Sequence, residues 1–469
     1  MAGDAGLPPL TSAGSGCCVG SAGGSRSLAG VEGAGKSGCG SGRLRARVMP
    51  NEQKLPPWAL IGLGTSQVIG YGTLFYAFSV LVPAIARDIG RSEQWVFGAF
   101  SAALLAGSLA APLSGSLADR VGAGRLMAAG SVLAAVLLAA LSRSSGPLGF
   151  AFILAVTQVV SSTVLYATAF TAIVQAGGRK AQTSIVHLTL IAGFASSIFW
   201  PLTSWMHGFL SWREVYLVFA AMNLLVCLPV HLAISRLTTR AVKRPASRDP
   251  SGPPAGPDGR TSPLFLLMLF GFAAEGYALS AILVHMVPLT QALGMGAAGL
   301  FVASLFGPSQ VASRLINLVF GGRLPQRWLA VIAAALIPVA LAILMMTTPS
   351  IAGAAAFAVI FGLGSGLSSI VSGTLPLELF GRQGYGGRMG WATSARQMTA
   401  AVAPIAMSLS LAGIGVAGSI WLTAAIGITA VAAFLWIAIS VRRAGGNDLS
   451  EVPAWRPECG RDVPGRAED

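Results

Sequence analysis

Charged side chains are scarce in this sequence of 469 residues, of which only 10% are Asp, Glu, Lys or Arg. A soluble globular domain carries about 25% charged residues, so the composition excludes an ordinary soluble protein. Apolar residues make up 54% of the chain and recur in long runs between Trp58 and Val441. Runs of about 20 apolar residues cross a hydrocarbon layer of roughly 30 Å, and lipid offers the backbone no hydrogen-bond partner. Each run is therefore predicted to be a transmembrane helix.

Cysteine is also rare, and its five positions do not have the spacing of a disulfide framework or a zinc site. Cys227 lies in a predicted helix, whereas the other four lie in polar tails: Cys17, Cys18, Cys39 and Cys459. One stretch, Gly30 to Ser37, matches the pattern G-x-x-x-x-G-K-[ST], but it lies in the Gly- and Ser-rich N-terminal region, without the sequence pattern of the strand and helix that flank a P-loop. We therefore do not expect ATP to be the energy source. The sequence also has no catalytic dyad and no cluster of His, Asp or Cys at ligand spacing. We therefore expect no enzymatic activity, no cofactor and no metal site.

The two ends of the chain lack the long apolar runs. Residues 1–48 are dominated by Gly, Ser and Ala and contain no apolar stretch of the kind found in a secretory signal. We predict that they are a disordered extension or an upstream start, with the working protein beginning at Met49, and an organellar transit peptide is the alternative. Residues 442–469 are predicted to be a cytoplasmic tail.

The apolar runs predict an all-α membrane protein with twelve transmembrane helices. They span residues 58–86, 94–117, 125–142, 148–176, 181–206, 213–234, 263–292, 296–320, 327–346, 351–376, 387–410 and 415–440. Residues 236–262 are rich in Pro, Ser, Gly and basic residues, which is typical of a linker. This linker separates two halves of six helices each, at residues 49–235 and 263–441.

The net charge of +14 is carried mainly by short loops between the apolar runs. That distribution indicates the positive-inside rule rather than a nucleic-acid partner. The basic residues on the predicted cytoplasmic side are Arg120, Arg125, Arg179, Lys180, Arg236 through Arg260, Arg323, Arg327, Arg382, Arg388, Arg442 and Arg443. Both termini and the linker are therefore expected in the cytoplasm, and we predict a monomer in the lipid bilayer of a bacterial inner (plasma) membrane.

The loop after the second predicted helix carries a recognisable motif, Gly115-Ser-Leu-Ala-Asp119-Arg120-Val-Gly122-Ala-Gly-Arg125. It resembles the signature G-x-x-x-D-R-x-G-x-x-R of the major facilitator superfamily. Glycine at the first position lets two helices approach, and glycine after the basic residue permits a tight turn. The alternative is a loop that serves only as a topology signal.

This resemblance implies the major facilitator fold and secondary transport by alternating access. It also implies that Asp119 contacts the start of the eleventh helix, near Gly386 and Gly387, where the helix dipole favours an anion. Such a contact would close the cytoplasmic side of the transporter.

Within that family, the chain is similar to the monocarboxylate and oxalate/formate exchanger branch. The similar stretches are Gly70-Tyr71-Gly72-Thr-Leu-Phe-Tyr76-Ala-Phe78 in the first helix and Gly307-Pro308-Ser-Gln310-Val-Ala-Ser-Arg314 in the eighth. The resemblance implies substrate binding by basic residues of the eighth and eleventh helices, here Arg314 and Arg396. Gln310 stands where a monocarboxylate carrier has an acid, so that position offers no proton acceptor.

Three charged residues fall well inside predicted helices, away from the helix ends, where a charge costs a few kcal/mol and needs a reason. They are Glu275, Arg314 and Arg396. We expect Glu275 to balance one guanidinium, or to couple a proton, while the other guanidinium binds a carboxylate or oxyanion. The alternative is that both arginines extend to the cytoplasmic surface and Glu275 is merely paired.

Further residues could serve the same site. Tyr71 and Tyr76 are five residues apart, about 140° around an α-helix, so at most one should face the cavity, and Tyr71 is the candidate. His285 is a candidate proton relay, although a hydrogen-bonded structural histidine is the alternative. Gln310 is a candidate for substrate binding. Glu378 is expected to pair with Arg382, four residues on.

The sequence thus predicts a secondary transporter of a small solute, with an organic anion as the expected substrate. A proton or a counter-substrate would be the coupled partner. The alternatives are proton-coupled efflux of a drug or toxic metalloid and, more remotely, a non-transporting membrane sensor.

Overall fold

The computed structural model describes residues 55–243, 262–296, 298–321 and 324–447, and regular structure within these ranges is helical throughout. The predictions for residues 1–48, for most of the linker 236–262 and for nearly all of the tail 442–469 lie outside the described residues.

Ten described helices are long and apolar enough to cross a membrane. In chain order they are α1 Pro57–Asp88, α2 Glu93–Val121, α3 Ala123–Ser142, α4 Pro147–Ala176, α5 Ala181–His207, α6 Trp212–Thr239, α7 Pro263–Met295, α9 Gln326–Thr347, α10 Ile351–Phe380 and the long segment Tyr385–Arg443. That last segment contains a non-helical residue, Gly415 at φ 73° and ψ −179°, which divides it into α11 (385–414) and α12 (416–443). The helix between α7 and α9 is α8, made of Ala298–Ser304 and Phe306–Phe320.

Counted in this way, the part of the chain that the structure describes contains twelve helices, α1 to α12, and the all-α membrane fold predicted from the sequence is confirmed. The helices begin and end within a few residues of the predicted positions. One boundary differs more clearly, because the helical segment at the end of α6 continues to Lys243, eight residues into the stretch assigned to the linker.

Small residues allow the helices to approach closely, as is common in membranes. Gly366 of α10 faces α8 so closely that a Cβ there would lie 1.9 Å from the Ser313 hydroxyl oxygen. Large apolar side chains such as Leu113, Leu148 and Phe320 remain exposed on the outside of the bundle. The outer surface is therefore suited to lipid.

Irregularities in the middle of three of the helices, α1, α4 and α5, position the site described below. α1 contains a π-helical turn at Gly72–Tyr76. α4 is interrupted between Ser161 and Tyr166, where the carbonyl of Val164 accepts a hydrogen bond from the Gln67 amide at 2.8 Å. α5 is interrupted after Ala192, at Gly193. Irregular backbone in a membrane needs partners of this kind.

Candidate functional site

The motif residues Gly115 and Asp119 lie near the end of α2 and contact the start of α11. We call this contact the gate, and it consists of Gly115, Asp119, Gly386, Gly387 and Gly390. The two carboxylate oxygens of Asp119 accept hydrogen bonds from the backbone N–H groups of Gly386, at 2.9 Å, and Gly387, at 2.8 Å. These N–H groups belong to the first turn of α11, where the backbone donors have no intrahelical partner. The carboxylate therefore caps α11 from a different helix, as the motif predicted.

Glycine is required on both sides of the gate. A Cβ at Gly115 would lie 2.0 Å from the carbonyl oxygen of Gly386, and a Cβ at Gly390 would lie 2.4 Å from that of Ala111. These neighbours are backbone atoms, which cannot move aside as a flexible side chain can. The close approach of α2 and α11 thus depends on the absence of side chains.

The turn that follows the gate is held by a residue that the motif does not include. Gln175 of α4 accepts a hydrogen bond from the Ala123 N–H and donates one to the Ala118 carbonyl, both at 2.9 Å. Between these two residues, Gly122 has φ +94°, which favours glycine. Arg120 and Arg125, also part of the motif, are exposed beside this turn.

Three tyrosines of the first half pack together midway along the bundle. The ring centroids of Tyr71 and Tyr166 are 4.7 Å apart, and those of Tyr71 and Tyr76 are 6.4 Å apart. The expectation that only one of Tyr71 and Tyr76 faces the centre is wrong. The reason is the π-turn of α1, closed by a hydrogen bond from Ala77 N–H to Gly72 O, which brings residues five apart onto the same face.

Arg314 of α8 lies opposite these tyrosines and is only 4% exposed. Its Nε donates to the Ser369 hydroxyl at 3.1 Å, while its Nη1 is buried with no hydrogen-bond partner. Nη1 rests against Gly193, where a Cβ would lie 1.9 Å away. The guanidinium also interacts electrostatically with the phenols of Tyr76 and Tyr166. The alternative, in which Arg314 extends to the cytoplasmic surface, does not fit this burial.

One face of α10 supplies hydroxyl groups to the site. Ser365 accepts a hydrogen bond from the Gln310 amide at 2.8 Å, and Ser369 accepts one from Arg314. Ser368, between them, is buried. These serines were not predicted as site residues from the sequence. Ser368 and Ser369 follow Ser365 by three and four residues, and this spacing places all three on a single helical face.

Arg396 of α11 and Glu275 of α7 face each other across a close helix contact. A Cβ at Gly276 would lie 2.8 Å from Cγ of Arg396, and the Thr399 hydroxyl donates to the Ala273 carbonyl at 2.7 Å. Arg396 is half-buried and also interacts electrostatically with Tyr71 and Tyr166. The six residues Tyr71, Tyr76, Tyr166, Glu275, Arg314 and Arg396 form what we call the central cluster.

Glu275 is 1% exposed, and neither of its carboxyl oxygens has a hydrogen-bond partner. Arg396 and the Ser368 hydroxyl are the groups that influence it electrostatically, yet Ser368 Oγ also has no partner of acceptable geometry. Among the described residues, no carboxylate forms an ion pair with Arg314 or Arg396 at 4.0 Å or less. The cluster therefore combines two guanidinium groups with one acid in a setting of low dielectric constant.

Other candidates lie outside this cluster. His285 has a hydrogen-bond partner at both ring nitrogens, the Ala281 carbonyl at 3.0 Å and the Ser408 hydroxyl at 3.1 Å. Glu378 forms its ion pair with Arg327 of α9, at 2.7 Å, so the expected pairing with Arg382 is wrong. Arg382 instead donates to the carbonyl of Val174. The tertiary contact prevails because α9 and α10 are packed side by side.

The family profile of the Major Facilitator Superfamily matches residues 65–404. Similar solved structures include a proton:xylose symporter, XylE, at 12% identity with a TM-score of 0.62, over 81% of this chain and 95% of that chain. The human organic anion transporter MFSD10 matches at 15% identity and a TM-score of 0.58, over 81% and 100% of the two chains. The transporter FucP, solved in the outward conformation, matches at 12% identity with a TM-score of 0.59, over 82% of this chain and 99% of that chain. No curated protein sequence matches the chain.

The profile covers well over half of the chain, and the gate contact of Asp119 with the start of α11 agrees with it. The chain belongs to the Major Facilitator Superfamily. It is an integral membrane protein of a family of secondary transporters rather than enzymes.

Proposed function

We propose that the protein transports a small organic anion by alternating access, with Arg396 and Arg314 as the groups that bind the anion. The observation that carries the proposal is the uncompensated charge of the central cluster, in which neither guanidinium has an ion-pair partner. A carboxylate substrate would supply the missing negative charge through paired, charge-assisted hydrogen bonds.

Both halves of the protein contribute further side chains to the same site, aromatic ones from the first half and a polar one from the second. Tyr71 and Tyr166 provide rings and hydroxyl groups that can pack against a short organic chain. Gln310 is fixed by Ser365 in the helical turn before Arg314. Because the two halves supply different chemistry, an anion bound between them would link their movements, as alternating access requires.

The test is transport of radiolabelled lactate and oxalate into proteoliposomes by wild type, Arg396→Lys and Arg396→Gln. Lysine keeps the charge but loses the planar pair of donors, and glutamine loses both. We expect uptake to fall in that order, with Arg396→Gln near background and all proteins reconstituted in equal amounts. Arg87→Gln, which removes an exposed arginine at the end of α1, is the matched control and should transport normally. Normal anion uptake by Arg396→Gln would contradict the proposal.

We further assign the coupling proton to Glu275. An ionised carboxylate without hydrogen bonds in a buried site costs several kcal/mol, so a proton stabilises this residue when its neighbouring cation is engaged elsewhere. An anion bound to Arg396 would engage that cation, and the two binding events would then favour each other. Binding of one proton with one monovalent anion would make the transport step electroneutral. His285 is less suited, because both of its ring nitrogens are already occupied.

This assignment is tested by comparing two modes of transport. Glu275→Gln cannot bind or release a proton, but it keeps the size and neutral form of the side chain. We expect exchange of labelled for unlabelled anion to continue, while accumulation driven by a pH gradient is lost. The control is Glu93→Gln, which changes an exposed acid at the start of α2. Gradient-driven accumulation by Glu275→Gln at the wild-type level would refute proton coupling while leaving anion transport intact.

A further inference from the structure

A groove of about 380 Å³ lies on the outer surface of the bundle, between α7 and α12 and away from the central cluster. Its lining is apolar except for one hydroxyl group, and consists of Leu267, Phe270, Thr429, Ala432, Ala433 and Trp436. Phe270 and Trp436 are 51% and 66% exposed, so the groove opens toward lipid.

The groove follows from an uneven distribution of side-chain size along the two helices. On the inner side of the contact, the Phe434 ring packs against Gly271, where a Cβ would lie 2.8 Å from it. That contact draws α7 and α12 together. On the outer side, the small side chains of Ala432 and Ala433 leave the space between Phe270 and Trp436 unfilled.

Two arginines at the end of α12 follow the groove along the helix, with Arg443 on the face of the groove and Arg442 about 100° to the side. Arg442 and Arg443 are exposed, and neither forms an ion pair with a described residue. Arg443 follows Trp436 by seven residues, which places both on one face about 10 Å apart along the helix. Thr429 lies a further seven residues below, so the stripe from Arg443 to Thr429 is about 21 Å long. This length corresponds to a phospholipid headgroup followed by most of one acyl chain.

We propose that this stripe is a binding site for an anionic phospholipid. One acyl chain lies in the groove against Ala432, Ala433 and Phe270, and the phosphate group contacts Arg442 and Arg443. Basic residues at a membrane surface attract anionic lipids, and the short, small-residue groove holds the chain in one position. This lipid site shares no residue with the central cluster or with the gate.

The test uses the full chain in detergent, incubated with an equimolar mixture of phosphatidylglycerol and phosphatidylcholine that carry the same acyl chains. Native mass spectrometry then counts the lipid molecules that stay bound. We expect one phosphatidylglycerol site that is favoured about tenfold over phosphatidylcholine, because two arginines contribute. The double variant Arg442→Gln/Arg443→Gln should lose the preference. The matched control, Arg87→Gln/Arg91→Gln, removes the same charge from the end of α1 and the loop that follows it, and it should keep the preference for phosphatidylglycerol.

A second variant tests the groove rather than the charge. Ala432→Phe fills the groove from an exposed position, so folding is preserved, and it should reduce retention of both lipids at this site. Absence of a phosphatidylglycerol preference in the wild type would overturn the proposal. So would an equal loss in the two arginine double variants, since that would indicate attraction to the surface in general. Unchanged lipid retention by Ala432→Phe would exclude the groove as the place where the chain lies.

Discussion

The gate and the central cluster each contain an acid inside a helical bundle, but the two acids have opposite surroundings. Asp119 accepts hydrogen bonds from two backbone N–H groups of α11. Glu275 has no hydrogen-bond partner at either carboxyl oxygen. A buried polar group that has its hydrogen-bond partners stabilises one conformation of the chain. A buried polar group without such partners keeps a high affinity for a proton or a ligand that can form the missing interactions.

The two regions therefore have different roles, because the gate holds one conformation and the central cluster is available for binding. At the gate, glycines remove side chains so that backbone groups meet a charge directly. In the central cluster, glycines at positions 193 and 276 accommodate arginine side chains, and neither guanidinium forms an ion pair with a described residue at 4.0 Å or less. The gate is therefore expected to respond to mutation through conformation, and the cluster through transport.

The largest effect should come from placing a side chain inside the gate. In Gly115→Ala the new methyl group would collide with the Gly386 carbonyl, and overpacking of this kind typically costs about 1–3 kcal/mol. We expect a lower melting temperature, a marked loss of transport and greater labelling of cysteines placed on the gate side of the cavity. Ala110→Leu, a change on the same helix at a partly exposed position, is the control and should have little effect. Normal labelling in Gly115→Ala would mean that the contact is not needed for closure.

A smaller effect is expected from Asp119→Asn, which keeps the shape but removes the charge. Hydrogen bonds to a charged group contribute about 1.5–3 kcal/mol, and the helix dipole adds to them. The amide can still accept at one atom, so expression should persist while transport falls severalfold. Cysteine labelling should rise as in Gly115→Ala, but less. Unchanged transport and labelling would mean that the loop serves only as a topology signal.

A substitution in the central cluster is expected to change the stability of the protein in the opposite direction. Glu275→Gln removes an acid that has no partners, so its melting temperature should equal or slightly exceed that of the wild type. Residues that bind substrates are often not optimal for stability. Thermal unfolding in detergent, followed by intrinsic fluorescence, measures this for Glu275→Gln and Asp119→Asn side by side. Destabilisation of Glu275→Gln by as much as Asp119→Asn would remove the distinction between the two acids.

The smallest effect is expected at the start of the chain, because residues 1–48 contain no apolar run long enough to cross a membrane. A protein that begins at Met49 should insert into the membrane and transport as the full chain does. Quantitative immunoblotting of membrane fractions, together with uptake per molecule, checks this. Loss of membrane insertion would show that residues 1–48 are required.

The number of crossings and the gate could be predicted from sequence because both depend on local information. Length and apolar composition define a crossing, and the gate motif lies within eleven consecutive residues from Gly115 to Arg125. The position of its partner could be inferred from the family, and the hydrogen bonds to Gly386 and Gly387 confirm it. The assignments of Tyr71, Gln310, Arg314, Arg396 and Glu275 to substrate and proton binding stay predictions.

The central cluster could be predicted only in part, since its contacts join residues that are far apart in sequence. Tyr166 was missed because nothing near it marks the interruption of α4 as a place where a ring turns toward α1. Gln175 was missed because its partners are backbone atoms of another helix. Glu378 was paired with the wrong arginine because spacing on one helix ignores the neighbouring helix, from which Arg327 approaches.

The π-turn of α1 has a consequence for the register of the whole helix. It has the effect of one residue inserted into an otherwise regular α-helix, and each residue of an α-helix corresponds to a rotation of about 100°. Deleting one residue from the turn Gly72–Tyr76 would restore regular winding and leave Tyr71 and Tyr76 four residues apart, still on one face of the helix. Regular winding at the present length would instead rotate the segment that follows by about 100°, so that Phe78 and Leu81 would present another face to α2. The extra residue in the turn therefore keeps Tyr76 on the same side of α1 as Tyr71.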